Sequence, residues 1–527
     1  MSSYLLFNGN IHTMDYHGCV PAMLVIDGKV ASVGRQDAVK LGAPQGTVEI
    51  NLKGRVVYPG FHDSHIHFLS YAVGLKRINL YGMVTKEEGL KIIEEGVKAQ
   101  PLEAWVIGAG WDKSLWGDFP TRHDLDAVSK GRPVFLSSKD AHSVWVNTKA
   151  LEICGIDRDT VSPEGGAILK DRSGEPTGIL QDAAESLVWR NIPDTDDEEA
   201  YNAAVEAITN LWRMGITCIH APEEVGLFHI ACRIRDEAKL PFRIALMPPA
   251  SSLETLFAFD IKQGYGDDWV WTAQIKALKD GSLGSSTALL YEPYEHLPGY
   301  YGLDCIPDDE LVELVARSVQ AGYGMAIHAI GDKAVASSLD AIEASIDESR
   351  KKRIRHRIEH AQMIHPDDIR RFKELGVIAS VQPGHAVADR YMADKEWGDR
   401  SVRAYPFGQL HRAGTKFAFG SDSPVEIPDV IYGLYCAVNR CFPGEGPELQ
   451  WHPAENLPVQ VALAGYTKDA AYAAGKEKVL GMLSPGMYAD FVVLSHDLKL
   501  IPASEIGNTK VEAVSVGGRF VVDPVWM

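Results

Sequence analysis

One run constrains this chain more than any other: Val56-Val57-Tyr58-Pro59-Gly60-Phe61-His62-Asp63-Ser64-His65-Ile66-His67-Phe68. Its β-branched and aromatic residues favour a strand, and the strand ends in a His-x-His pair. Strand alternation puts Asp63, His65 and His67 on one face and His62, Ser64 and Ile66 on the other. The two imidazoles then stand about 6–7 Å apart and can close on one metal ion if the strand end curls. Neutral imidazole is the commonest metal ligand. A surface strand end that happens to carry histidines reads the same way, so the rest of the chain must decide.

A chain of 527 residues calls for two or three structural units. With 46% hydrophobic and 23% charged residues it can bury a large core. The net charge of -19 argues against a nucleic-acid partner, which needs a basic patch. No apolar run is long enough for a membrane span, and no basic segment followed by an apolar one opens the chain. Seven scattered cysteines without a C-x-x-C read as reduced, mostly buried thiols, so a cytoplasmic protein is expected.

Short strand patterns at both ends, broken by turns such as Asn8-Gly9-Asn10 and Gly517-Gly518, are too few to bury a core separately. Residues 1–55 and 481–527 are therefore expected to pair into one small β-sandwich. From about Thr195 strands alternate with helical stretches, the signature of a parallel sheet. Candidate strands at Ile216–His220, Phe242–Met247, Thr272–Leu278, Gly324–Ile327, Ile354–Ile358, Val377–Val381 and Lys416–Phe419 join Val56–Phe61 to make eight. That number fits an α/β fold of the (β/α)8 TIM-barrel type over residues 56–80 and 196–480. Residues 81–195, too long for a loop, are expected to form an inserted α+β subdomain over the barrel mouth.

Catalytic groups of such barrels sit at the C-terminal ends of strands. The later strands end in Lys276 and Lys279, His328, His360 and Asp422. Four imidazoles, a carboxylate and a lysine thus converge, a donor set zinc accepts.

Together these residues resemble the amidohydrolase superfamily. Gly108-Ala109-Gly110-Trp111-Asp112, Asp140-Ala141-His142-Ser143, Asp280-Gly281-Ser282-Leu283-Gly284-Ser285, Val381-Gln382-Pro383 and Gly420-Ser421-Asp422-Ser423-Pro424 resemble the branch containing N-substituted formamide deformylases. The return Gly481–Phe491 fits as well. The branch often has Arg where this chain has Ser286, and Gly where it has Ala141, which bears on specificity.

The resemblance implies a metal-dependent hydrolase of a carbon–nitrogen bond in a small non-peptide amide. Two divalent metals, zinc first, with Mn, Fe, Co or Ni as alternatives, would share a hydroxide. His65 and His67 would hold one metal with Asp422, and His328 and His360 the other. Lys276, carbamylated by CO2, would bridge them; Lys279 is its rival. Asp422 would also carry the proton from the hydroxide to the leaving amine. Two other readings stay open: a mononuclear deaminase of a heterocyclic amine, and a regulatory relative without turnover. Trp111, His142, His220, Gln382 and His385 are the expected substrate contacts. Asp63 is expected to orient a ligand from behind, His62 and His356 to be structural, and His12, His17 and His496 to lie at the surface. No nucleic acid or membrane partner is expected, and the sequence leaves open whether a homo-oligomer forms.

Overall fold

The computed structural model describes residues 3–99, 104–139, 143–163, 165–193, 195–524 and 526. Two compact units emerge: Met1–Tyr71 with Ala204–Met527, and Ala72–Ala203.

Both chain ends of the first unit share one eight-stranded sheet. Its order is Arg519–Val522, Val511–Val516, Phe491–Leu494, Val56–Pro59, Ser3–His12, Cys19–Ile26 and Lys29–Gly34, with Val48–Asn51 also on Ser3–His12. The strands form one hydrogen-bonded sheet rather than two separately bonded layers. Leu6, Ile11, Met23, Val57, Phe491 and Val493 meet in its core, so apolar residues from both ends are buried together. His12 is a correction: it is buried, stacked on Tyr58 at 4.6 Å and bonded to Asp497 at 2.8 Å.

Val56–Phe61, expected as a single strand, is divided at Gly60. Val56–Pro59 pairs antiparallel with Phe491–Leu494, whereas Phe61–Asp63 pairs in parallel with Ile216–Ala221. A Cβ on Gly60 would stand 2.4 Å from Thr217 Oγ1, so only glycine lets the chain pass from one sheet to the other.

The parallel strands form two sheets: Phe61–Asp63, Ile216–Ala221, Arg243–Leu246 and Val270–Thr272, then Ile275–Leu278, Met325–Ala329, Arg357–His360, Ile378–Val381 and Phe417–Phe419. Backbone bonds join them at both junctions, Ser64 N to Phe419 O at 2.9 Å and Lys276 N to Pro248 O at 2.8 Å. The expected fourth strand, Thr272–Leu278, is two pieces that serve one sheet each. Helices such as Asp308–Gln320, Asp332–Glu343 and Ile369–Leu375 alternate with the strands. The architecture is α/β and TIM-barrel-like.

The second unit has a six-stranded sheet, ordered Gly166–Lys170, Pro176–Asp182, Ser143–Val146, Val134–Ser138, Val106–Trp111 and Ile78–Asn79. Among the seven cysteines, all free, only Cys218, Cys436 and Cys441 are buried, and Cys19 and Cys305 are exposed, against the expectation of mostly buried thiols. No described helix is long and apolar enough to cross a membrane.

Candidate metal centre

The strand feeding the centre stops at Asp63, so His65 and His67 occupy a loop and not a pleat. Asp63 builds that loop. Its Oδ1 accepts the His65 and Ser421 amides at 3.1 and 3.0 Å, and its Oδ2 accepts the Ser421 hydroxyl at 2.6 Å. Burial pushes the Asp63 carboxyl up to about 7 against these hydrogen bonds. Gly420 is equally constrained, because a Cβ there would lie 2.4 Å from the His65 amide nitrogen. Further backbone bonds run from His67 N to Ser423 O and from Asp422 N to His65 O, at 2.9 and 2.7 Å. The two loops are therefore laced together.

Asp422 divides its oxygens between two pairs of histidines. Oδ1 stands 3.3 Å from His67 Nε2 and 3.5 Å from His65 Nε2. Oδ2 stands 3.9 Å from His360 Nδ1 and 4.0 Å from His385 Nε2. In each trio, His65–His67–Asp422 and His360–His385–Asp422, the ligand atoms lie within 4.8 Å of one another. Burial opposes ionisation of Asp422, but a hydrogen bond from His67 and the nearby imidazoles of His360, His65 and His385 hold its carboxyl well below the usual range.

Hydrogen bonds fix the tautomers of three histidines. A carboxylate or carbonyl oxygen only accepts, so the nitrogen facing it carries the proton. His65 donates from Nδ1 to Glu359 Oε2 at 2.5 Å, leaving its Nε2 lone pair on the centre. His328 donates from Nε2 to Gly281 O at 2.9 Å, leaving Nδ1. His360 donates from Nδ1 to Gln382 Oε1 at 2.9 Å, leaving Nε2. Burial pushes His65 and His328 down to about 4 and His360 well below its ordinary value, so all three are neutral near pH 7. Neutral imidazoles with free lone pairs beside an ionised carboxylate fit a divalent transition metal. His328 packs edge-on to His360 with ring centroids 4.4 Å apart, but lies outside both trios.

The lysines separate cleanly. Lys276 Nζ is 3.5 Å from His65 Nε2, and burial pushes its ammonium down to about 8 while Glu359 and Asp422 oppose the shift. Lys279 Nζ is taken by Asp304, Asp308 and the Ile306 carbonyl at 2.6–2.7 Å. It has no reach to spare for the centre.

Two functional residues escaped the sequence reading. Glu359, fully buried, accepts at Oε2 from His65, from Ser380 Oγ at 2.6 Å and from Arg357 Nη2 at 3.1 Å, and Arg357 Nε forms an ion pair with Oε1 at 2.5 Å. Arg357 also donates to Ser64 O at 2.6 Å and to His220 Nδ1 at 3.2 Å. Despite the burial and because of Arg357 and His65, the Glu359 carboxyl stays well below its ordinary value. A carboxylate behind a ligand histidine is the usual device for orienting it.

The expected substrate contacts fare differently. Trp111 is spent on the second unit's core: it is buried, donates to Leu136 O at 2.8 Å and packs on Trp116, Phe119 and Trp145. His142 lies outside the described residues. His220 is corrected to a support, fully buried and accepting from Arg357 while facing His62 at 3.5 Å. Gln382 orients His360 through Oε1, while its Nε2 has no hydrogen-bond partner among the described residues. His385 reaches the centre itself. His356 is structural, with Nδ1 accepting Met325 N at 3.1 Å and Nε2 on Ser349 Oγ at 2.9 Å.

A TIM-barrel-like sheet with histidines and a carboxylate at its strand ends defines a metal-dependent hydrolase scaffold. The sequence profile of the amidohydrolase family matches residues 48–522, and the chain belongs to that family. It is 33% identical to Protein LONG AFTER FAR-RED 3 of Arabidopsis thaliana, over 98% of this chain and 91% of that protein. It is 25% identical to the N-substituted formamide deformylase of Arthrobacter pascens, over 98% of each chain. The crystal structure of an uncharacterized metal-dependent hydrolase from Pyrococcus furiosus superposes with a TM-score of 0.79 at 27% identity, covering 94% of this chain and all of that one.

Proposed function

We propose that this amidohydrolase cleaves the carbon–nitrogen bond of a small non-peptide amide, an N-formyl or N-acyl amine, at a centre for two divalent metals. The observation that carries this reading is the division of Asp422 between two histidine pairs, which offers two adjoining seats. A bound divalent metal supplies Lewis-acid activation of water and of the scissile carbonyl.

The remaining work falls to this chain's own groups. Asp422, kept ionised by its imidazole neighbours, accepts the proton of the attacking water at a carboxylate oxygen and delivers it to the departing amine nitrogen. Glu359 and Gln382 hold His65 and His360 in the tautomers that face inward. Lys276 is the group for carbamylation: its neutral amine adds to CO2, forming an N–C bond and releasing one proton. The resulting anion faces His65. Its burial favours the neutral amine this addition needs. The relative named for N-substituted formamides supports the substrate class.

The test strips the protein with a chelator, restores Zn2+ or Mn2+, and follows amine release from a panel of N-formyl and N-acyl amines. Metal-dependent amine release is expected. Release of ammonia from heterocyclic amines instead, or no turnover on any substrate, would sink the reading.

A further inference from the structure

Every histidine whose tautomer is fixed at the centre has one ring nitrogen bound to the protein, to Glu359, Gly281 or Gln382. His385 is the exception. It is 5% exposed, and neither ring nitrogen has a hydrogen-bond partner among the described residues. A buried imidazole left unbonded on both sides loses the hydrogen bonds it made in water, so its placement needs a compensating ligand.

The geometry says which one. His385 Nε2 faces Asp422 Oδ2 at 4.0 Å, and its ring is parallel to that of His360 within 11°, centroids 6.4 Å apart. The three side chains form a compact trio of donors, His360, His385 and Asp422. Donors around a tetrahedral ion with bonds of about 2.0–2.2 Å sit about 3.3–3.6 Å apart, so this trio closes on one ion with small side-chain shifts. His328, by contrast, belongs to no such trio among the described residues. The half-buried carboxyls of Asp389 and Glu426 lie close enough to His385 to interact with it electrostatically, although burial raises both above their ordinary values. Asp389 is itself held by the Tyr405 hydroxyl.

We infer that His385, from the short helix after the seventh strand, is a direct ligand of the second metal, completing a seat with His360 and Asp422. This rests on the reading of the chain as a metal-dependent amidohydrolase. It takes His385 out of the substrate pocket and makes it part of the metal centre.

Cobalt makes the seat visible. Crystals of the wild-type protein loaded with Co2+ should show an anomalous peak about 2.0–2.1 Å from His385 Nε2 or Nδ1. In solution, His385→Asn should lose one of two Co2+ equivalents, or bind it about 10–100-fold more weakly, with loss of part of the visible d–d absorption. The equivalent held by His65 and His67 should be unaffected. Two cobalt peaks with neither in bonding distance of His385 would overturn the inference. So would a folded His385→Asn variant that keeps both equivalents and the spectrum while its KM rises, the behaviour of a substrate contact. If wild-type protein binds no divalent metal at all, the amidohydrolase reading fails as well, and that outcome is distinct from either of these.

Discussion

Glu359 Oε2 stands 2.5 Å from His65 Nδ1, in a fully buried pocket where Arg357 supplies the opposite charge. The pair decides which nitrogen of His65 faces the centre. Replacing Glu359 with Gln removes the charge and lets the tautomer relax. Divalent metal affinity should fall about 10–100-fold, read by competition with a chromogenic chelator. The lone guanidinium of Arg357 left behind should lower the melting temperature of the metal-free protein too, since breaking one side of a buried ion pair costs about 3–5 kcal/mol. An unchanged metal affinity would remove Glu359 from the centre.

Asp422→Asn keeps the shape and one oxygen but not the base. Metal should remain bound at His65 and His67, while kcat falls about 10^2–10^4-fold, the usual weight of a general acid–base group. Metal content by mass spectrometry beside steady-state kinetics checks both halves. Undiminished kcat refutes the proton role.

Lys276 ties activity to carbon dioxide. Protein purified and assayed in CO2-depleted buffer should lose turnover and regain it with added bicarbonate, and recovery should be faster as pH rises through about 8, where the buried ammonium gives up its proton. Carbon-13 NMR with labelled bicarbonate detects the carbamate directly. Lys276→Arg, which cannot be carbamylated, should show neither response; a bicarbonate-insensitive wild type would exclude the modification.

Acid stability has a component remote from the metal. Burial pushes His356 down to about 4, below the value near 6.5 of the unfolded chain. Between those values the unfolded chain binds the proton and the fold does not. The stability contributed by a neutral His356 is therefore full above pH 6.5 and is lost as pH falls towards 4. Against a His356→Gln variant, the wild type's advantage in urea unfolding should shrink by about 1 kcal/mol between pH 7.5 and pH 5.5. Parallel stability–pH curves would show that His356 is not neutral in the fold.

The sequence revealed the donors better than their supports. His65, His67, Lys276, His328, His360 and Asp422 come from in or just beyond the strands on which the sequence places them, and Lys279 drops out because Asp304 and Asp308 occupy it. Glu359 was hidden by the rule that found the others. With Arg357 and Glu359 on one face, alternation sends His360 to the opposite one. The backbone defeats that rule: φ is +71° at His360 and +44° at Ala361, and this left-handed turn brings the ring to the centre beside Glu359. Asp422 uses the same device, at +57°. Such conformations in residues other than glycine leave no mark in a hydropathy pattern. His220 was misread for a related reason, since polarity near a strand end does not say whether a side chain faces the pocket or its neighbours.

The strand Val56–Pro59, which leads into the histidine loop, is clasped between Ser3–His12 and Phe491–Leu494. The first clasp comes from residues that precede the loop in synthesis. The second emerges from the ribosome more than four hundred residues after His65 and His67. During translation the histidine loop therefore exists for most of that time on a half-paired strand. A product that stops short of residue 491 carries all six expected ligands and still lacks the strand that flanks Val56–Pro59, the segment leading into the first two.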